Sequence, residues 1–316
     1  MNAPDIVTLT INPAIDVFGV TDEIFSDSKS RCEKASSLPG GGGINVARNI
    51  YRMGSSVTAV FPAGGLTGNL LKQLMNEDGT PFVATDIAEE TRQNFAITER
   101  KGQKMHHFVF PGPQLSEQEY QACHNALFSF APQPEYLVLT GSLPDNIPNN
   151  FYKNITEQAN QKGIKVILDT SGEALKESLY AGTYLAKLNR REFASLGFDE
   201  HVSIQELAKQ MTGLVHDGAV DHLIVTLNRG GAVLVSKNGE SYYFEAPSVH
   251  IVSHVGAGDS FVSALTHQLN KGASLQQATH YGVAAAAVTV QLEGNQLHDL
   301  NWLERMVSEV IAHPLP

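Results

Sequence analysis

Short apolar runs alternate along this chain with stretches whose apolar residues recur every three or four positions, and that rhythm leaves few folds open. A run over 57–61 precedes a helical stripe near 68–76, one over 136–140 precedes 149–161, and one over 166–169 precedes 173–180. Strands that read as apolar throughout are buried on both faces, and an intervening helix makes successive strands parallel. The expected fold is α/β, with a mostly parallel sheet between two helical layers. Ligands of such sheets bind beyond the carboxyl ends of the strands. A strand over 6–11 opens the sheet and helices over 275–291 and 302–311 close it, with the alanines of 284–287 read as core. Two segments break the rhythm. Residues 15–38 and 93–110 are polar-rich and partly alternating, the second around a Lys101-Gly102 turn, and they predict a small separate β-sheet.

Two glycine motifs sit at helix starts. Pro39-Gly-Gly-Gly-Gly-Ile-Asn-Val-Ala-Arg48 runs directly into an amphipathic stripe of Ile44, Val46, Ala47, Ile50 and Met53. A linker would be followed by polar residues, so a backbone cradle for a polar ligand is the favoured reading. No Gly-Lys-Ser/Thr follows, which excludes a P-loop, and Asn45 replaces the last glycine of G-x-G-x-x-G. A dinucleotide-binding dehydrogenase is thereby disfavoured.

The second motif is His254-Val-Gly-Ala-Gly-Asp-Ser-Phe261, followed by Val262, Ala264, Leu265 and Leu269 at helical spacing. Glycines let backbone N–H groups approach an anion closely, and a helix N-terminus supplies unpaired donors and partial positive charge. Asp259 is placed either to take a proton from a nucleophile attacking that anion or simply to complement the helix dipole.

Together these motifs resemble the PfkB/ribokinase family of sugar kinases. The likeness continues through Thr8-Leu-Thr-Ile-Asn-Pro-Ala-Ile-Asp16, Arg92-Gln-Asn94, Leu139-Thr-Gly-Ser-Leu-Pro144, Asp169-Thr-Ser-Gly-Glu-Ala-Leu175, Lys187-Leu-Asn-Arg-Arg-Glu192 and Val225-Thr-Leu-Asn-Arg-Gly-Gly231. Within the family it is most similar to the minor bacterial 6-phosphofructokinases, with tagatose-6-phosphate kinases and 1-phosphofructokinases next. The resemblance implies a single ribokinase-like domain over 1–316, three layers α/β/α, with the segments 15–38 and 93–110 forming a lid. It implies transfer of phosphate from MgATP to a phosphorylated ketohexose, fructose 6-phosphate first. A catalytically weak sensor of nucleotide or sugar phosphate is the alternative of another class.

Residue roles follow from the same resemblance. Asp259 would be the base, beside N–H groups of Gly256, Ala257 and Gly258. Asp16, Gly41, Gly42 and Asn45 would hold sugar hydroxyls. Arg92, helped by Lys29, Arg31 and Ser142, would bind the sugar's own phosphate, for which a guanidinium fork is suited. Lys187, Asn189 and Glu192 would reach the ATP phosphates, with Glu192 meeting Mg²⁺ through water. Thr226, Asn228 and Gly231 would line the nucleotide. The chain departs from the family pattern at Leu188, usually Pro, at Asn228, usually Gly, and at His254, usually Thr. Ile251, Ala287 and Leu292 replace polar residues near the adenine and the monovalent-cation (K⁺) loops. His106 and His107 read as surface residues.

Composition bounds the partners. A formal net charge of −11 argues against nucleic acid or an anionic membrane. Binding two anionic substrates then requires cations gathered locally, and Lys29, Arg31, Arg92 and Lys187 are the candidates. Cys32 and Cys123 form no disulfide framework or zinc spacing, no run reaches transmembrane length, and the N-terminus lacks a signal layout. The expectation is a cytoplasmic protein, homodimeric through the lid.

Overall fold

The computed structural model describes residues 3–33, 35–227, 230–292, 297 and 299–316. The chain begins with β1 (Ile6–Leu9), β2 (Ala14–Thr21), β3 (Ser36–Gly40), α1 (Gly42–Arg52), β4 (Val57–Ala63), α2 (Gly65–Asp78) and β5 (Phe82–Asp86). It continues through β6 (Arg92–Glu99), β7 (Lys104–Phe108), α3 (Glu117–Leu127), β8 (Tyr136–Thr140), α4 (Phe151–Gln161), β9 (Lys165–Asp169) and α5 (Gly172–Leu179). Then follow β10 (Thr183–Asn189), α6 (Arg190–Ala194), α7 (Ile204–His216), β11 (Val220–Thr226), β12 (Ala232–Ser236) and β13 (Ser241–Glu245). The last elements are α8 (Ala257–Asn270), α9 (Leu275–Thr289), α10 (Leu300–Val307) and β14 (Ile311–Pro314).

The large sheet runs β14-β13-β12-β11-β10-β9-β8-β1-β4-β5. From β5 to β11 neighbours are parallel, and β12, β13 and β14 add an antiparallel edge. Burial on both faces explains the unbroken apolar runs. Ile44 and Val46 of α1, Leu71 of α2, Phe261 and Leu265 of α8, Val283 of α9 and Leu303 of α10 pack on one side. Cys123 of α3, Tyr152 and Ile155 of α4, Leu175 of α5, Phe193 of α6 and Met211 of α7 pack on the other. This is the ribokinase-like three-layer arrangement, with the carboxyl ends of the parallel strands left open.

One end of the chain departs from expectation. The last helix stops at Val307, and Ile311 pairs with Glu245 in an edge strand. Pro314 and Pro316 cannot continue a helix interior, whereas an edge strand accepts proline on its outward side.

The two irregular segments form a second, four-stranded sheet of order β3-β2-β6-β7. Its register sets Asp16 opposite Asn94 and Leu38, and Ala14 opposite Arg92 and Gly40. Side chains alternate between faces, so Asp16, Arg92 and Asn94 share one side. Among the described residues no helix is long and apolar enough to cross a membrane.

Candidate active site

The glycine run is a packing requirement before it is a binding device. A Cβ on Gly40 would strike the Asp16 carboxylate, one on Gly42 would lie 2.5 Å from Thr140 Oγ1, and one on Gly43 would lie 2.5 Å from the Leu9 carbonyl. Gly41, which caps α1, takes φ 111°, a region that L side chains avoid. The helix is thus seated directly on the ends of β1 and β8. It delivers the Asn45 side chain, whose Nδ2 donates to Asp259 Oδ2 at 2.8 Å.

Asp259 lies in the first turn of α8, whose N-cap Gly256 is left-handed at φ 77° and supplies no side-chain cap. The Ala257 N–H is engaged by the His254 carbonyl at 3.4 Å. The expected set of three anion-facing N–H groups is therefore incomplete in this geometry, because the turn closes on itself through Ala257. His254 itself is exposed.

A cleft of about 300 Å³ joins these parts, lined by Gly42, Thr140, Ser142, Asp169, Lys187, Glu192, Gly256, Gly258 and Asp259 among others. Burial pushes the Asp259 carboxyl up to about 7; the neighbouring Asp169 charge adds to this, against the Asn45 hydrogen bond and Lys187. Lys187 projects from β10 and donates to Asp169 Oδ1 at 3.0 Å, with both side chains almost wholly buried. Burial works against the ammonium, yet the carboxylates of Asp169, Glu192 and Asp259 hold its pKa above the usual lysine value. Gly258 leaves the room, since its Cβ would lie 3.1 Å from Lys187 Nζ.

Asn189 and Glu192 form a capping box at α6, with N–H groups donating to Glu192 Oε2 at 2.7 Å and Asn189 Oδ1 at 2.9 Å. Asn189 is thus spent on the helix, whereas Glu192 lines the cleft with a carboxyl raised by burial and by Asp169. Thr226 ends β11 and donates to the Leu188 carbonyl at 3.3 Å. Gly231 takes φ 89° in the following turn. Asn228 lies outside the described residues.

The small sheet contributes the other wall. Asn94 Nδ2 donates to Asp16 Oδ1 at 3.0 Å, and burial raises the Asp16 carboxyl while Asn94, His107, Arg92 and Arg48 oppose it. Arg92 donates to the Phe110 carbonyl at 2.9 Å and the Asn12 carbonyl at 3.0 Å. Among the described residues its Nε is buried with no partner. Asn12 Nδ2 reaches Ser142 Oγ at 3.5 Å, which ties the arginine end of the small sheet to the cleft. Lys29 and Arg31 are exposed in the loop between β2 and β3 and are not among the cleft-lining residues. The four cations expected together are therefore divided: Lys187 lies in the cleft, Arg92 beside it, and the other two on the surface loop. Reading the sequence missed Asp169, Thr140 and Asn94 as site residues. The signal for the first two was their place at the carboxyl ends of β9 and β8, where ligands of parallel sheets bind.

A carboxylate near neutrality, a helix N-terminus and a buried ammonium in one cleft can deprotonate a hydroxyl and stabilise charge on a transferring phosphoryl group. The model of the pfkB family of carbohydrate kinases matches residues 6–301. The chain belongs to that family. It is 35% identical to the ATP-dependent 6-phosphofructokinase isozyme 2 of Mycobacterium tuberculosis, over 98% of this chain and 91% of the relative. It is 29% identical to the 1-phosphofructokinase of Bacillus subtilis, over 96% and 98%. The crystal structure of phosphofructokinase-2 from Escherichia coli in complex with potassium superposes with a TM-score of 0.90 at 33% identity, covering 96% of this chain and 98% of that one. Kinases of this family use ATP and, in general, Mg²⁺.

Proposed function

We propose that this pfkB-family kinase transfers the γ-phosphoryl group of ATP to a primary hydroxyl of a phosphorylated ketohexose, with fructose 6-phosphate as substrate and fructose 1,6-bisphosphate as product. The observation that carries this reading is Asp259, raised to about 7 beside the uncapped start of α8 and fixed by Asn45. Asp259 takes the hydroxyl proton, and the α8 N-terminus with Lys187 stabilises charge on the transferring group. Asp16, Asn94 and the Gly41–Gly42 backbone hold sugar hydroxyls. The unpartnered Nε of Arg92 and the nearby Ser142 suit the sugar's own phosphate. A sensor without turnover would have no use for a carboxyl tuned to neutrality.

Mg²⁺ keeps several waters and needs few protein carboxylates. Glu192, with one oxygen in the capping box and its side chain at the cleft wall, fits such a water-mediated role, in which the ion would neutralise ATP phosphate charge. A monovalent cation such as K⁺ would find only backbone oxygens at Ile251, Ala287 and Leu292. Thr226 and Gly231 would border the nucleotide. Residues 1–316 form one kinase domain whose small sheet acts as the lid, and two lids pair in a homodimer.

A turnover screen over fructose 6-phosphate, fructose 1-phosphate, tagatose 6-phosphate and free fructose, each with MgATP, tests the reading. The expected result is the highest kcat/KM with fructose 6-phosphate and little turnover of the free sugar. Preference for free fructose would remove the role given to Arg92.

A further inference from the structure

Two consecutive histidines on β7 have opposite surroundings. The register sets His106 opposite Ile97 and His107 opposite Ala96, so they project from opposite faces of the small sheet. His106 Nε2 lies 3.4 Å from Glu99 Oε2 on the outer face. His107 is exposed, and among the described residues its side chain has no hydrogen-bond or ion-pair partner. Its face is that of the site. Asp16 pairs with Asn94 and Phe18 with Ala96, and Ala96 pairs with His107, so all of these side chains share one side. Met105, on the same side of β7, accepts a hydrogen bond from Ser253 Oγ at 3.5 Å. That contact seats β7 against the segment leading into α8.

We propose that His107 is a substrate-binding residue that hydrogen-bonds a hydroxyl of the ketohexose phosphate held by Asp16 and Asn94. A hydroxyl is the partner, rather than the sugar's phosphate, because Arg92 lies on the far side of Asn94. Four residues of strand, roughly 13 Å, separate Arg92 from Ala96, the residue beside His107. The assignment rests on the sugar-phosphate kinase reading above.

Steady-state kinetics of H107A, H107Q and H106A, varying sugar phosphate and ATP in turn, test it. H107A raises KM for the sugar phosphate about three- to tenfold, the loss of one neutral hydrogen bond, and leaves KM for ATP within about twofold. H107Q, which keeps a donor and an acceptor, recovers part of the loss. H106A, changed on the outer face, leaves both constants alone. An unchanged KM in H107A, an equal rise for both substrates, or an equal effect from H106A would overturn the assignment. Absence of wild-type turnover on any sugar phosphate would instead overturn the functional reading itself, so the two failures are distinguishable.

Discussion

Asp259 shows how one residue couples chemistry to stability. Its carboxyl is raised because burial and Asp169 disfavour the anion, so the native state holds this proton more tightly than the unfolded chain does. Stability from this group therefore falls as pH rises from the unfolded value of about 3.8 through the folded value of about 7. The proposed catalysis needs the opposite state, the free base. Asp259→Asn is accordingly expected to lower kcat by about 10²–10⁴-fold while raising Tm at pH 8, with the Tm gain gone near pH 4. Differential scanning calorimetry at the two pH values, beside the turnover assay, checks both halves. Wild-type kcat should decline as pH drops below about 7, and retention of activity in Asp259→Asn would rule out the base.

At the scale of elements, α1 is held from both ends of the cradle. Arg48 is buried, donating to the Pro39 carbonyl at 3.2 Å and to Asp78 Oδ2 at 2.9 Å, which links β3, α1 and the end of α2. Arg52 and Thr80 complete the carboxylate's partners. Asp78→Ala would leave the Arg48 charge buried and unpaired, so it should cost about 3–5 kcal/mol, measurable by urea denaturation; a loss under about 1 kcal/mol would mean that solvent reaches the pair. Elements of this kind were legible in the sequence to different degrees. The parallel strands announced themselves because burial on both faces demands unbroken apolar runs, and the glycine run because all four of its members have no room for a Cβ. The terminal strand at Ile311 was hidden, since four residues at an edge carry no alternation to read. Asn189 gave a binding pattern that the fold uses as a helix cap. The Lys187–Asp169 pair was invisible for another reason, since only sheet order brings adjacent strands β9 and β10 together.

For the whole molecule, the outer face of the small sheet needs a cover. Val17, Phe95 and Phe108 share that face by register, and Phe110, in edge contact with Phe95, is half-exposed along with Phe108 and Val109. Such a contiguous apolar patch is unusual on a monomer, and a two-fold partner is the simplest cover. Light scattering at assay concentration should give the mass of two chains, and Phe108→Glu should shift it toward one. A wild-type monomer with full activity would show that each small sheet stands alone.

The hydrogen bond from Asn45 to Asp259 spans 214 positions of sequence. A chain emerging from the ribosome completes the cradle early, but the carboxylate that Asn45 orients arrives only when most of the polypeptide has been made. On the proposed mechanism, a copy that ends before Asp259 holds no base with which to consume ATP. On that mechanism, turnover requires that synthesis has run past Asp259, nearly to its end.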